Sequence, residues 1–190
     1  MSEIQDIFKI PLYKTTLALK NKSLKSYCLS LPKRNKGRKF TNDGGWQSND
    51  LSLKEPPLQD LYNAILYHSN IFLESLECKE SAKLNNCWIN INGYRDYNVL
   101  HKHDCCLLSG VYYVNTPKDC GNIMFNRPGI DSFTYDWNKA YKVFNPYNSA
   151  NWWQEAKASN LYIFPSWLNH LVEPNLNKKE KRISISFNID

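Results

Sequence analysis

No stretch of this sequence is apolar for long enough to cross a bilayer. Its apolar runs are short, as in Leu161-Tyr-Ile-Phe164, against the roughly 20 residues that a helical span needs. Between Met1 and Lys14 the charged residues Glu3, Asp6 and Lys9 interrupt the apolar ones, a pattern unlike a secretory leader. A soluble, cytoplasmic protein with no membrane partner is the expectation. Paired thiols are also missing. None of the six cysteines stands in a CxxC pair, which disfavours a zinc ribbon, and the adjacent Cys105 and Cys106 cannot easily bridge to each other. The six are read as reduced thiols, mostly small core residues. No internal repeat and no recognised nucleic-acid module is visible. Histidine is scarce, at four residues.

What is present describes a folded chain. Its 190 residues, 42% hydrophobic and 14% aromatic, suit one domain with a proper core and have the composition of a folded protein, not a disordered one. The formal charge is +6, and much of it is local. Lys20, Lys22, Lys25, Lys33, Arg34, Lys36, Arg38 and Lys39 fall within one short stretch. Such a run could draw a polyanion, but without a binding module it reads as a solvated surface, so a nucleic-acid partner is not expected.

The hydrophobic pattern changes character along the chain. Residues 1–86 read as support: a strand-like Phe8-Lys-Ile-Pro-Leu-Tyr13, a basic polar segment, and a Gly44-Gly45 turn with Trp46 anchoring the loop in the core. A helix follows over 57–78, with Pro57 at its first turn and Leu58, Leu61, Ile65 and Phe72 at helical spacing. His68, within it, reads as a surface or half-buried residue. Residues 87–190 turn to period two, with strands expected at 88–92, 97–103, 107–114, 122–125, 161–164 and 183–188. Turn residues separate them: Asn92-Gly93, Pro117, Cys120-Gly121, Pro128-Gly129, Pro165 and Pro174. Short strands without intervening helices predict a mainly β jelly roll, carrying the N-terminal helical extension on one sheet. The stretch at about 130–156, rich in Trp, Tyr and Asn, reads as an inserted loop that roofs a pocket. Within it Trp152-Trp153 could stack on a planar substrate or lie in the core.

Two of the four histidines form His101-Lys-His103. Positions i and i+2 of a strand share a face, so both imidazoles can reach one metal ion. His170, far along the chain, is the candidate third ligand. Imidazole alone does not name the metal. Beyond His170, Arg182 and Ser184 share a face of the last strand, and a guanidinium in a dry barrel needs an anionic partner, for which a carboxylate is the natural choice.

Taken in order, His101-x-His103, Leu108-Ser-Gly-Val-Tyr-Tyr-Val-Asn115, Gly121, Phe164-Pro-Ser-Trp-Leu-Asn-His170 and Arg182-Ile-Ser184 resemble the 2-oxoglutarate/Fe(II) oxygenase superfamily. The likeness is to its prolyl-4-hydroxylase-like branch, and there to a bacterial and phage group with a Gly-Gly-Trp-Gln-Ser segment, here Gly44 to Ser48. The resemblance implies a double-stranded β-helix, Fe(II) as metal, 2-oxoglutarate and O2 as co-substrates, and hydroxylation of a further substrate with succinate and CO2 as co-products. It also implies His101 and His170 as metal ligands and Arg182, with Ser184, as the partner of the far 2-oxoglutarate carboxylate. Tyr113 matches a tyrosine that supports the same carboxylate, with a core aromatic as its bland alternative. For Asn90, a further co-substrate contact, the bland alternative is favoured.

One position departs from the superfamily's usual pattern. Where its second ligand is usually a carboxylate this chain has His103; the neighbouring Asp104 would reach the metal only through a bulge. His103 is the favoured second ligand, which leaves the site one unit more positive. Two rivals stand beside the oxygenase: a cupin-like three-histidine metalloprotein that does not use 2-oxoglutarate, and a metal-stabilised binding module without chemistry.

Overall fold

Why the last strand folds as it does is visible in its alternation. Arg182–Ile189 sends Ile183, Ile185, Phe187 and Ile189 to one side, where all four are fully buried, and Arg182, Ser184, Ser186 and Asn188 to the other. That two-sided pattern organises the molecule. The computed structural model describes residues 3–52, 55–130 and 140–190.

In chain order the elements are β1 (Tyr13–Thr16), α1 (Asn21–Ser30), a short 3-10 turn (Leu31–Lys33), β2 (Asn42–Asp43), β3 (Trp46–Gln47) and α2 (Pro56–Ser75). Then come β4 (Leu84–Asn92), β5 (Tyr97–His101), β6 (Leu108–Asn115), β7 (Ile123–Asn126), β8 (Asn151–Gln154), β9 (Asn160–Pro165), β10 (His170–Val172) and β11 (Arg182–Ile189). The pairings are antiparallel, in a major sheet ordered β1-β9-β6-β11-β4-β3 and a minor sheet ordered β2-β5-β10-β7-β8. This is the expected mainly β, double-stranded β-helix fold, with the helical extension packed on the major sheet. Among the described residues no helix is long and apolar enough to cross a membrane.

Two cores result. The outer one lies between the major sheet and the helices. There Ile89, Ile91, Leu108, Tyr112, Ile163 and the β11 isoleucines meet Leu24 and Cys28 of α1 and Leu58, Leu61, Ile65, Phe72 and Leu73 of α2. Pro56 and Pro57 open α2, where a missing N–H costs nothing, and its buried residues recur at helical spacing. Packing here is tight enough that a Cβ on Gly110 would stand 2.2 Å from the Phe187 ring. The inner core, between the sheets, gathers Val111, Tyr113, Cys120, Ile123, Phe125, Tyr162, Phe164 and Leu168.

Several expectations change. Residues 8–12 do not pair as a strand; β1 begins at Tyr13, after Pro11, and Phe8 is 94% exposed. The basic segment contains α1, which buries only Leu24 and Cys28 and is tied in by polar contacts, such as Tyr112 Oη donating to Asn21 Oδ1 at 2.6 Å. Residues 33–36 are exposed. The inserted loop is interrupted by β8, an edge strand paired with β7 on which Trp152 and Trp153 stay 41% and 49% exposed. Neither tryptophan enters the core, and the part of that loop at 131–139, with Trp137, lies outside the described residues. Cys28, Cys87 and Cys120 are buried free thiols, whereas Cys78 and Cys105 are exposed and Cys106 is intermediate.

The Gly-Gly-Trp segment has a clear architectural role. Asp43 pairs with Tyr97 of the minor sheet and Trp46 pairs with Ile91 of the major sheet, so Gly44 and Gly45 carry the chain from one sheet to the other. Both have positive φ, +69° and +64°, and a Cβ on Gly44 would strike the Asp96 carboxylate. Trp46 is only half-buried, packed against the outer core with its indole N–H donating to the Asn35 carbonyl at 3.1 Å.

Candidate metal centre

Along β4 and β11 the inner face of the major sheet is polar where a core should be apolar. β11 presents Arg182, Ser184, Ser186 and Asn188; β4 presents Asn86, Trp88, Asn90 and Asn92 beside them in register. Polar side chains are costly inside a sandwich unless they have partners, so this face marks a site.

Across from it stand the histidines. His170 of β10 pairs directly with His101 of β5, and His103 follows just beyond the end of β5, tied by its backbone N–H to the Ser166 carbonyl at 3.0 Å. Strand pairing, not sequence proximity, joins His170 to the other two. One ring nitrogen from each of the three lies within 4.8 Å of the others. The ring centroids of His101 and His170 are 4.3 Å apart, and each lies 5.2 Å from that of His103. Asp104 takes no part: it is exposed and pairs with Lys102 at 2.9 Å.

The hydrogen bonds decide which nitrogen faces the centre. His101 Nδ1 lies 2.7 Å from the Val99 carbonyl and His170 Nδ1 lies 2.9 Å from the Leu168 carbonyl. A carbonyl only accepts, so both Nδ1 atoms carry the proton and both Nε2 lone pairs are free. His103 Nδ1 lies 2.5 Å from Asn188 Oδ1 and 2.9 Å from Ser109 Oγ. Burial pushes His101 down from 6.5 to about 4 and lowers His103 and His170 as well. Three neutral imidazoles with free Nε2 atoms form a donor set suited to a divalent transition metal. They share a narrow cavity with Asn90, Tyr113, Ser184 and Ser186.

At the far end of the same face lies Arg182, fully buried. Its Nη1 donates to the carbonyls of Cys120 and Glu173, the latter at 2.8 Å. Gly121 allows this approach: its φ is +77°, and a Cβ there would stand 2.5 Å from the Glu173 oxygen. Nε and Nη2 have no partner, and no carboxylate forms an ion pair with the guanidinium among the described residues. Tyr113 Oη and Asn92 Oδ1 are buried and unpartnered as well. Burial moves Arg182 below its ordinary value, offset by the neighbouring Tyr113 and Cys120, and raises the Tyr113 phenol. Asn90 donates to Ser186 Oγ at 3.1 Å and leaves Oδ1 unpartnered; exchanging its amide O and N would turn a donor to the cavity.

These orphaned groups are the test of the implied co-substrate. A buried cation with two free donors beside a free phenol is costly alone and is matched by a small dicarboxylate, so the residues present fit 2-oxoglutarate as well as the metal. The fold thus brings six of the seven residues singled out from the sequence to one cavity, and places Arg182 on the same strand face two positions from Ser184. It adds Asn92, Ser109, Asn188 and Trp88, whose ring lies 5.5 Å from that of His103. Only the face-by-face alternation of β4, β6 and β11 could have pointed to these. A larger hollow of about 740 Å³ lies between the N-terminal segment and β7–β8, lined by Leu12, Arg127 and Trp152, and contains none of the three histidines.

Comparison with known proteins agrees with this geometry. A family model described as "Putative 2OG-Fe(II) oxygenase" matches residues 86–188. No curated protein matches. Among solved structures, a Pseudomonas putida prolyl-4-hydroxylase superposes with a TM-score of 0.66 at 15% identity, over 95% of this chain and 92% of that one. The α-ketoglutarate-dependent epimerase SnoN of nogalamycin biosynthesis gives 0.69 at 11% identity, over 95% and 76%. The viral collagen prolyl hydroxylase of Paramecium Bursaria Chlorella virus-1, solved with 2-oxoglutarate, gives 0.57 at 15%, over 94% of each chain. At these identities the likeness is one of fold.

Proposed function

The chain belongs to the 2OG-Fe(II) oxygenase family, whose model covers more than half of it, and from that premise we propose that it hydroxylates a C–H bond, with His101, His103 and His170 holding Fe(II) and Arg182 holding 2-oxoglutarate. The observation that carries this reading is the Arg182 guanidinium: fully buried, with Nε and Nη2 unpartnered, on the sheet face that the three histidines confront. Iron with 2-oxoglutarate supplies the chemistry when bound: dioxygen is reduced as 2-oxoglutarate becomes succinate and CO2, and one oxygen atom enters the substrate C–H bond.

The protein's own work is binding, orientation and exclusion of water. Val99, Leu168 and Asn188 accept from the three Nδ1–H groups and keep the Nε2 lone pairs aimed inward. The Cys120 and Glu173 carbonyls fix Arg182 so that its remaining donors form a fork for a carboxylate, which Tyr113 Oη and Ser184 supplement. Phe164 and Phe125, packed edge to face at 4.9 Å, close the site beside His170 and keep water from it. Asp104, held by Lys102, is not assigned a ligand role.

The absence of a carboxylate from the ligand set favours one other reading, a cupin-like three-histidine centre that does not use 2-oxoglutarate. An anaerobic titration with Fe(II), with and without 2-oxoglutarate, separates the two by visible absorption. A weak charge-transfer band that needs both components, followed by succinate release on admitting air, is the expected result. Iron binding without such a band would transfer the site to the three-histidine alternative.

A further inference from the structure

His103, which stands where the wider superfamily usually has a carboxylate, is also the only one of the three histidines oriented by side chains. His101 and His170 lean on backbone carbonyls, whereas His103 Nδ1 meets Asn188 Oδ1 at 2.5 Å and Ser109 Oγ at 2.9 Å. Those two belong to a rung across three adjacent strands: Asn188 of β11 pairs with Ser109 of β6 on one side and with Asn86 of β4 on the other. Ser109 is fully buried.

As the amides of Asn188 and Asn86 are placed, the hydrogen bonds along the rung run in one direction. Asn188 Nδ2 donates to Asn86 Oδ1 at 2.8 Å, which turns Asn188 Oδ1 toward the histidine. Ser109 Oγ donates to the same Oδ1 at 2.8 Å. An amide oxygen cannot donate, so His103 Nδ1 must carry the proton, and Nε2 must be the lone pair facing His101 and His170. The oxygen that accepts from His103 is itself polarised by a second donor and anchored by the amide.

We propose that Asn188, supported by Ser109 and Asn86, is the positioning residue that lets a histidine serve where the wider superfamily usually has a carboxylate. It selects the His103 tautomer, fixes the ring and strengthens its donation to the metal. Among the described residues, Asn188 Oδ1 and Ser109 Oγ are the two groups within hydrogen-bond reach of His103 Nδ1, and Asn188 Oδ1 is the nearer. The proposal rests on the iron-binding reading above.

The test uses the full chain with Asn188→Leu, Asn188→Asp and Ser109→Ala, each assayed anaerobically for Fe(II) affinity and for the Fe(II)–2-oxoglutarate charge-transfer band. Thermal unfolding of the metal-free proteins serves as the control for folding. Asn188→Leu keeps the branched side-chain shape but removes the acceptor, and is expected to weaken Fe(II) binding by about 10- to 100-fold while the metal-free protein still unfolds cooperatively. Asn188→Asp places a charged acceptor on Nδ1–H, makes the imidazole a stronger donor, and is expected to hold iron at least as tightly with the band moved to longer wavelength. Ser109→Ala should weaken binding less than Asn188→Leu. A merely structural Asn188 would change the unfolding temperature and leave the band in place. Unchanged affinity and an unmoved band in Asn188→Asp overturn the proposal, whether or not the leucine variant folds. If the unsubstituted protein itself binds no iron, the metal reading falls first and this one with it.

Discussion

A guanidinium sealed from water without a counter-charge is the most demanding feature at the scale of single residues. Arg182 uses one nitrogen on two backbone carbonyls and keeps two donors idle, which is tolerable only if a ligand completes them. Arg182→Met, similar in length and apolar, should therefore abolish the binding of 2-oxoglutarate while Fe(II) affinity stays within a few-fold of the original. Isothermal titration with each component checks this; loss of both would make Arg182 a structural residue. The substitution should also leave the metal-free fold as stable or stabilise it, since it removes a buried charge that has no ionic partner among the described residues. The sequence singled out Arg182 because its strand alternates; it could not single out Asn92 or Asn188, whose asparagine side chains look like any surface amide until β4 and β6 are laid alongside.

At the scale of elements, α2 acts as a clamp. It lays Leu58, Leu61, Ile65, Phe72 and Leu73 against the apolar side of the same strands whose other side carries the site. Ile65 is fully buried at its centre, so Ile65→Ala should cost about 2–5 kcal/mol, read as a lower denaturant midpoint with little change in slope. Because β11 and β4 pass between α2 and the metal, iron affinity should weaken as well if the clamp sets the strand spacing. Unaltered affinity in the destabilised variant would show that the sheet holds its register without the helix. The period of α2 was plain in the chain. That of α1 was not: a helix burying only Leu24 and Cys28, held by Asn21 and Lys25 contacts to distant strands, carries almost no local signal. β8 was hidden for a related reason, since an edge strand with both tryptophans half exposed does not alternate between apolar and polar.

For the molecule as a whole, the histidine cluster links folding to pH and to metal. His101 titrates near 4 in the fold against an ordinary 6.5, with His103 and His170 also lowered by burial. Between those limits the unfolded chain holds more protons than the folded one, so folding stability must fall as pH drops from about 6.5 toward 4, and is unaffected by these groups above about 7.5. The metal-free protein should lose melting temperature between pH 7 and 5, and His101→Gln should flatten that slope. Saturating Fe(II) at 100 times its dissociation constant should add about 2.7 kcal/mol at neutral pH and progressively less on acidification, as protons compete for the same Nε2 atoms. Calorimetry with and without a chelator measures both effects. A slope that His101→Gln does not alter would mean that the imidazoles are not what couples this fold to pH.

By itself, the sequence determined the elements whose signals are local: the α2 periodicity, the alternation of β4, β6 and β11, and the spacing that puts His101 and His103 on one side of the chain. It also supplied the ordered set of residues by which the family shows. Tertiary structure alone decided which of His103 and Asp104 turns inward, because that depends on the chain leaving β5 after His101 and on Ser166 holding the His103 backbone. It alone decided that His170 lies opposite His101, and that Asn188, Ser109 and Asn86 stand in one row beneath His103. Both are matters of register between strands far apart in the chain, and register is set by burying one face of each strand at once, which no single segment can express.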